Sequence, residues 1–270
     1  MNTPQQTAAA VLTALRARRP LILNLTNNVV QGITANMLLA VGAVPVMLTH
    51  TQEIEDLLHS CANGLLVNVG TVNEPQADTM RFAVQEAAAA GIPWVLDPVA
   101  VGLLRFRTGV CTELLRTPPG MIRGNASEII ALAGAQGALC RGVESTADSA
   151  AALPAAKALA LKTGAAVLVT GETDYATDGR RTISCTNGHE LMTRVTGVGC
   201  AMGGLCAACL ASAESALDAA VAAAAILGLA GERAAATHPH PGSFAAALLD
   251  ALDTLSPADI QNEARLAEIR

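Results

Sequence analysis

The sequence predicts an α/β fold, a mainly parallel central sheet with helices on both faces, forming a single domain over residues 1–270. Three observations predict it. Short apolar runs alternate with helical segments at regular spacing. Each apolar run is unbroken rather than alternating, as in strands buried on both faces. Hydrophobic residues make up 51% of the chain but aromatics only 2%, so Ala, Val, Leu and Ile must build the core, which suits helices packed closely on a sheet.

Thr7–Arg18 is helical by composition and stops at Pro20, and Leu21–Leu25 is a short apolar strand. The polar loop 26–32 leads to a helix over Ile33–Val41, closed by Gly42. Val44–Leu48 is the next strand and Glu53–Ser60 a helix; Leu65–Val69 is the third strand. Pro75 opens a helix that runs to Ala90 and is closed by Gly91, and Ile92–Leu96 is a strand ended by Asp97-Pro98. Met121–Gly124 is a short strand, and Asn125 opens a helix ending near Gly134. Gly137–Ser149 reads as an exposed loop, Ala151–Lys162 as a helix and Ala166–Thr170 as a strand. Asp174–Gly179 reads as a hairpin turn before an added strand over Arg181–Cys185. A glycine-rich loop and helix follow, Ala213–Thr237 continues as helix, His238-Pro239-His240-Pro241 breaks the chain, and Gly242–Leu255 is the last helix.

A net charge of −6 without a basic stripe excludes a nucleic-acid partner. Met1–Ala10 has no basic segment ahead of an apolar one, so no secretory signal is expected. The most apolar stretch, Ala216–Ala230, contains Asp218 and is too short to span a bilayer. No membrane partner and a cytoplasmic location are therefore expected. Seven scattered cysteines read as free thiols, with Cys206 and Cys209 three apart on a helix as core residues. His50, His59, His189, His238 and His240 read as solvent or packing residues.

In a parallel sheet, ligands bind beyond the carboxyl ends of the strands. The polar residues there fall within 24–28, 47–49 and 68–71, and at Asp97. Asp97 is either a turn former or a ligand for a hard cation. Asn125 and Glu128 form either a helix capping box or, with Arg123, part of a site in which Glu128 reaches Mg²⁺ through water and Arg123 meets phosphate. Thr170 ends a strand before Gly171 and either closes a plain turn or touches a nucleotide. The most suggestive stretch is Arg194-Val195-Thr196-Gly197-Val198-Gly199-Cys200 ahead of a small-residue helix. Gly197 and Gly199 permit close approach to the backbone, and the unpaired N–H groups of a helix start suit a phosphate. Cys200 then sits where a thiol pKa tends to fall and a thiolate can serve as a base. The plain alternative is a turn before a packed helix, with Cys200 a small buried residue.

In this order and spacing, several segments carry a resemblance over about Leu21–Leu255. They are Thr26-Asn27-Asn28-Val29-Val30, Val44-Pro45-Val46-Met47, Leu65–Thr71, Leu96-Asp97-Pro98-Val99, Ile122–Ile129 and Val195–Cys200. The chain resembles the ribokinase-like superfamily, and within it the hydroxyethylthiazole kinase family, which is known for Cys where most relatives have Asp after the glycine loop. The resemblance implies transfer of the ATP γ-phosphate to the hydroxyl of 4-methyl-5-(2-hydroxyethyl)thiazole. It implies Met47 and Gly197 at the thiazole with Asn27 and Val29 nearby, Arg123 and Thr170 at ATP, Asp97 and Glu128 at Mg²⁺, and a homotrimer with sites between subunits. One departure is Ala201-Met202-Gly203-Gly204, where many members carry larger apolar residues; a changed helix start or packing is expected there. The competing readings are another small-alcohol kinase of this fold, a nucleotide binder without turnover, and a thiol-based redox or metal protein.

Overall fold

The computed structural model describes residues 2–135 and 148–269. The loop expected over Gly137–Ser149 lies outside them apart from its last two residues, and so does Cys140.

The amino-terminal half runs α1 (Pro4–Arg18), β1 (Leu21–Leu25), α2 (Gln31–Val41), β2 (Val44–Val46), α3 (Thr51–Ser60), β3 (Gly64–Asn68), α4 (Glu74–Ala89) and β4 (Trp94–Asp97). It continues with α5 (Arg105–Leu114), β5 (Met121–Asn125) and α6 (Ala126–Ala135). After residue 148 come α7 (Leu153–Thr163), β6 (Ala166–Thr170), β7 (Asp174–Thr177), β8 (Thr182–Cys185), α8 (Val198–Leu210), α9 (Ala216–Thr237), α10 (Pro241–Thr254), α11 (Pro257–Glu263) and β9 (Leu266–Ile269).

Side-chain caps set many helix starts. Thr3 and Gln6 close a capping box on α1, as do Asn73 and Gln76 on α4 and Ser256 and Asp259 on α11, each with proline in the first turn. Gly42 ends α2 in the left-handed conformation that its sequence position implied.

Among the described residues, nine strands form one sheet in the order β2-β1-β3-β4-β5-β6-β7-β8-β9. The first six in that order are parallel, and β7, β8 and β9 add antiparallel to one edge. The chain leaves β1 toward β2 on one side and returns to β3 on the other. That reversal opens a crevice at the carboxyl ends of β1 and β3.

The sheet has a core on each face, which is why its strands read as continuous apolar runs. Ile22, Leu66, Val95, Met121 and Leu168 pack with α1, α2, α8, α9, α10 and α11. Leu23, Leu65, Leu96, Ile122 and Val167, from the alternate positions, pack with α3 to α7.

Four expectations need correction. Asp174–Thr177 is a strand; the turn lies beyond it, where the Asp178 carboxylate accepts from the N–H groups of Arg180 and Arg181 at 2.8 and 2.7 Å. The expected helix from Ala151 begins as a 3-10 turn, Ser149–Ala152, before α7. Helical structure does not continue through Ala213, because the chain breaks after α8 and Ser215 caps a fresh start for α9. The apolar stretch at Ala216 belongs to a helix of 22 residues, long and apolar enough to cross a membrane, yet 83% of its most apolar window is buried inside the fold. Four elements, α5, α11, β9 and a 3-10 turn at Glu190–Arg194, lie where the sequence suggests none.

Candidate functional site

Strand pleating builds the site. Residues two apart on a strand share a face, so Asn24, Asn68, Asp97, Arg123 and Thr170 follow Ile22, Leu66, Val95, Met121 and Leu168 onto the α8 side of the sheet. Five parallel strands thus each present one polar side chain there, at or near a carboxyl end. Register sets Asn68 directly opposite Asp97, while Arg123 lies opposite Leu168, two residues before Thr170, and reaches Thr170 with its side chain.

These polar groups bond to one another. Asn68 Nδ2 donates to Asp97 Oδ2 at 2.6 Å, and Asn68 Oδ1 accepts from Asn27 Nδ2 at 3.0 Å and from Gly70 N–H at 2.9 Å. Arg123 Nη1 lies 3.6 Å from Asp97 Oδ1, and Arg123 Nη2 donates to Thr170 Oγ1 at 3.0 Å. Asn27 Oδ1 in turn accepts from Val29 N–H at 3.1 Å.

α8 lies directly over this row, and its glycines permit the approach. A Cβ at Gly199 would stand 3.5 Å from Arg123 Nη2, one at Gly203 3.4 Å from Asp97 Oδ2, and one at Gly204 3.2 Å from Asn24 Oδ1. The Gly203-Gly204 departure is therefore a packing device that lets the helix backbone sit on the polar row. Gly203→Val would also drive a Cβ to 2.8 Å from Leu66 Cδ1. We expect that substitution to destabilise the fold by about 1–3 kcal/mol in urea denaturation; a loss below measurement error would contradict this packing.

Of the two loop glycines, Gly197 takes the positive φ that the sequence allowed, whereas Gly199 lies inside the first turn of α8 without it. Gly197 has φ 92° and caps the helix without a side-chain bond. A Cβ there would strike Ile33 and Val30 at 2.8 and 2.9 Å, so both backbone conformation and space require glycine. The N–H groups of Gly199 and Cys200 fall in the first turn, where a helix offers no internal acceptor. They sit beside the Arg123 guanidinium, which gives an anion a positive helix end and a fixed cation together.

Cys200 is half-buried. Its thiol is not lowered as its helix position suggested. Burial pushes it up and the nearby Asp97 charge adds to that, while Asn68, Arg123 and Asn27 act the other way. Asp97 is fully buried, and burial lifts its carboxyl to about 7 against the opposing pull of Arg123. Asp97 Oδ1 accepts no hydrogen bond. A buried carboxylate with an unfilled oxygen suits a hard cation, but Asp97 lies beneath α8 and neither it nor Glu128 is among the residues that line the cavity above the row. Both oxygens of Glu128 are engaged, Oε1 by Ala100 N–H and Oε2 by Asn125 N–H, each at 2.9 Å, and Asn125 Oδ1 accepts from Glu128 N–H in return. The capping box is thus complete, and the carboxylate is left suited to hold a cation through water rather than directly.

A cavity of about 1090 Å³ opens above the row. Asn27, Val29, Arg123, Thr170, Gly197, Gly199 and Cys200 all line it. It extends past Asp174 to the turn at Asn187-Gly188 and to Leu227 and Gly228 of α9. Met47 is not brought to this cavity; it lines a second pocket of about 280 Å³ with Thr26, Asn28 and Gln31. The sequence reading assigned no role to Asn68, Asp174 or Arg107. Asn68 links Asn27 to Asp97 and had a signal, a carboxamide ending an apolar strand. Asp174, lifted by burial to about 6, and Arg107 both line the cavity and had none.

Comparison with known proteins gives a consistent result. The model of the hydroxyethylthiazole kinase family matches residues 12–258. A curated hydroxyethylthiazole kinase from Akkermansia muciniphila is 54% identical over 264 residues, 98% of this chain and 97% of that protein. One from Tolumonas auensis is 50% identical, covering 95% of this chain and 96% of the relative. Among solved structures, a hydroxyethylthiazole kinase protein from Pyrococcus horikoshii superposes with a TM-score of 0.91 at 37% identity, covering 97% of this chain and 99% of that one. The Staphylococcus aureus pyridoxal kinase in complex with ADP, at 16% identity and a TM-score of 0.60, covers 79% of this chain and 88% of its own and shares the fold alone.

Proposed function

Because this chain belongs to the hydroxyethylthiazole kinase family, we propose that it transfers the γ-phosphate of ATP to the hydroxyl of 4-methyl-5-(2-hydroxyethyl)thiazole, with the chemistry centred on the start of α8. Membership makes it a phosphotransferase with an alcohol acceptor, acting in thiamine biosynthesis. The observation that carries the finer reading is the uncapped helix start at Gly197–Cys200, set against Arg123 and Asp97 under one cavity.

Phosphoryl transfer needs positioning and charge neutralisation more than covalent help. The N–H groups of Gly199 and Cys200 would hold the oxygens of the migrating group, and Gly197 shapes the loop that aims them. Arg123, fixed by Thr170, would offset charge on the triphosphate. Asp97, and Glu128 through water, would hold Mg²⁺, which when bound neutralises phosphate charge. Cys200 would face the acceptor hydroxyl, as a base or as an orienting group. Its raised thiol favours the orienting role in the bare protein, and a cation at Asp97 would cancel one of the two causes of that rise.

Asn27, Val29 and Gly197 lie on the Cys200 side of the cavity, which supports them as the thiazole's surroundings. Met47 opens on the separate pocket, and Val29 and Leu39 are apolar and exposed at 66% and 58%. These features support a homotrimer in which a neighbouring subunit completes the thiazole site.

The test is phosphate-ester formation by the purified protein from ATP and the thiazole alcohol, followed by mass spectrometry, with hydroxymethylpyrimidine as the rival acceptor. ATP-dependent formation of the thiazole phosphate is expected. Turnover of the pyrimidine alone would sink the substrate assignment.

A further inference from the structure

Among the described residues lining the large cavity, two carry a fixed positive charge, Arg123 and Arg107. They are held very differently. Arg123, its side chain only 11% exposed, is paired with Asp97 and bonded to Thr170. Part of its charge is therefore already spent on the protein's own carboxylate.

Arg107 sits in the first turn of α5 and is half-buried. Among the described residues its side chain makes one hydrogen bond, from Nη1 to the carbonyl oxygen of Val99 at 3.3 Å, the long end of the range. No carboxylate within the described residues pairs with it. An arginine has five donors in a planar fork, so most of this fork is uncommitted while it lines the cavity wall. The loop that brings it there is fixed independently. Glu128 Oε1 holds Ala100 N–H, Thr108 Oγ1 accepts from Gly102 N–H at 2.9 Å, and Val99 itself lines the cavity.

Three acidic residues, Glu172, Asp174 and Glu190, also line the cavity, and their carboxylates would repel a polyphosphate. A polyphosphate bound there would meet one arginine already paired with Asp97, and a second, unpaired guanidinium would add to the support from the helix end and a bound cation. We propose that Arg107 is a second phosphate-binding residue of this site, contacting the β-phosphate of the nucleotide. The proposal rests on the nucleotide reading above. It adds a residue that was not among the sequence-predicted site residues.

The test is calorimetric titration of the full chain, in magnesium buffer, with ADP and separately with AMP, which lacks the β-phosphate. Arg107→Ala is expected to weaken ADP about 10-fold while AMP stays within about twofold of wild type. Arg107→Lys is expected to recover part of the loss, because it restores the charge without the fork. In steady-state assays the KM for ATP should rise with the KM for the thiazole alcohol unchanged. ADP binding within about twofold of wild type in the alanine variant, or equal weakening of ADP and AMP, overturns the assignment. If the wild-type chain binds neither nucleotide, the functional reading fails first and this inference falls with it.

Discussion

Cys200→Ala is expected to lower kcat by roughly 10- to 1000-fold while leaving the KM for ATP within about twofold. The two halves of that expectation have separate causes. The nucleotide would be held by main-chain N–H groups and by Arg123, and alanine changes neither. Alanine is also the best helix former, so the first turn of α8 should persist. Only the group facing the acceptor hydroxyl is lost. Cys200→Ser separates the two roles open to the thiol. A hydroxyl can orient an alcohol but is a far poorer base, so near-normal turnover in the serine variant means orientation. A pH profile gives a second handle. Burial pushes the thiol up, so a thiolate base would make wild-type kcat climb on the alkaline side of neutrality, and that climb would vanish in both variants. Turnover unchanged in Cys200→Ala would remove Cys200 from the chemistry altogether.

The legible part of this protein was what depends on local pattern. The bounds of β1 and β6 agree with the apolar runs read from sequence, and the parallel sheet followed from runs unbroken by polar residues. Helices with glycine or proline punctuation were equally plain. The failures have physical reasons. α5 reads Arg-Phe-Arg-Thr-Gly-Val-Cys-Thr-Glu-Leu, with a glycine and two threonines diluting its helical pattern. β9 exists because β8 offers it an edge, a long-range fact with no local signature. The break between α8 and α9 hides in alanine, and only the Ser215 cap betrays it.

The site shows the same division. The sequence supplied polar strand ends but not which of them share a face or stand side by side. Pleat and register decide that, and they turn five scattered residues into one row under α8. Asn68 gains its importance only there, between Asn27 and Asp97. The direction of the Cys200 shift was misread for a related reason. The helix end was visible in the sequence, but the burial of the thiol, the larger cause, and Asp97 as a neighbouring charge were not. Gly203 and Gly204 belong to the departure at which changed packing is expected, and in the fold they allow α8 to touch the row.

Arg123→Ala should raise the KM for ATP with little change in that for the thiazole, and in metal-free protein it should also cost stability in a pH-dependent way. Asp97 is the reason. Its carboxyl is lifted from 3.8 to about 7, with burial the leading cause and Arg123 the main opposing influence. A carboxyl raised in the folded state binds its proton there more readily than in the unfolded chain. Its favourable contribution is therefore complete below the unfolded value and is lost as pH rises toward the folded one. Removing Arg123 lifts Asp97 further, so the loss continues to higher pH in the variant than in wild type. At pH 6 both proteins hold Asp97 largely protonated, and the difference between them should be modest. Near pH 8.5 wild type has an ionised Asp97 balanced by Arg123, whereas the variant must either bury that charge alone or keep its proton. Breaking a buried pair in this way costs about 3–5 kcal/mol at most, protonation being the escape that keeps it lower. Urea denaturation in chelator at the two pH values should show a gap between the proteins that widens with pH. A gap that is constant or narrows would mean that Arg123 does not hold the Asp97 charge, and the electrostatic account of the polar row would have to be abandoned.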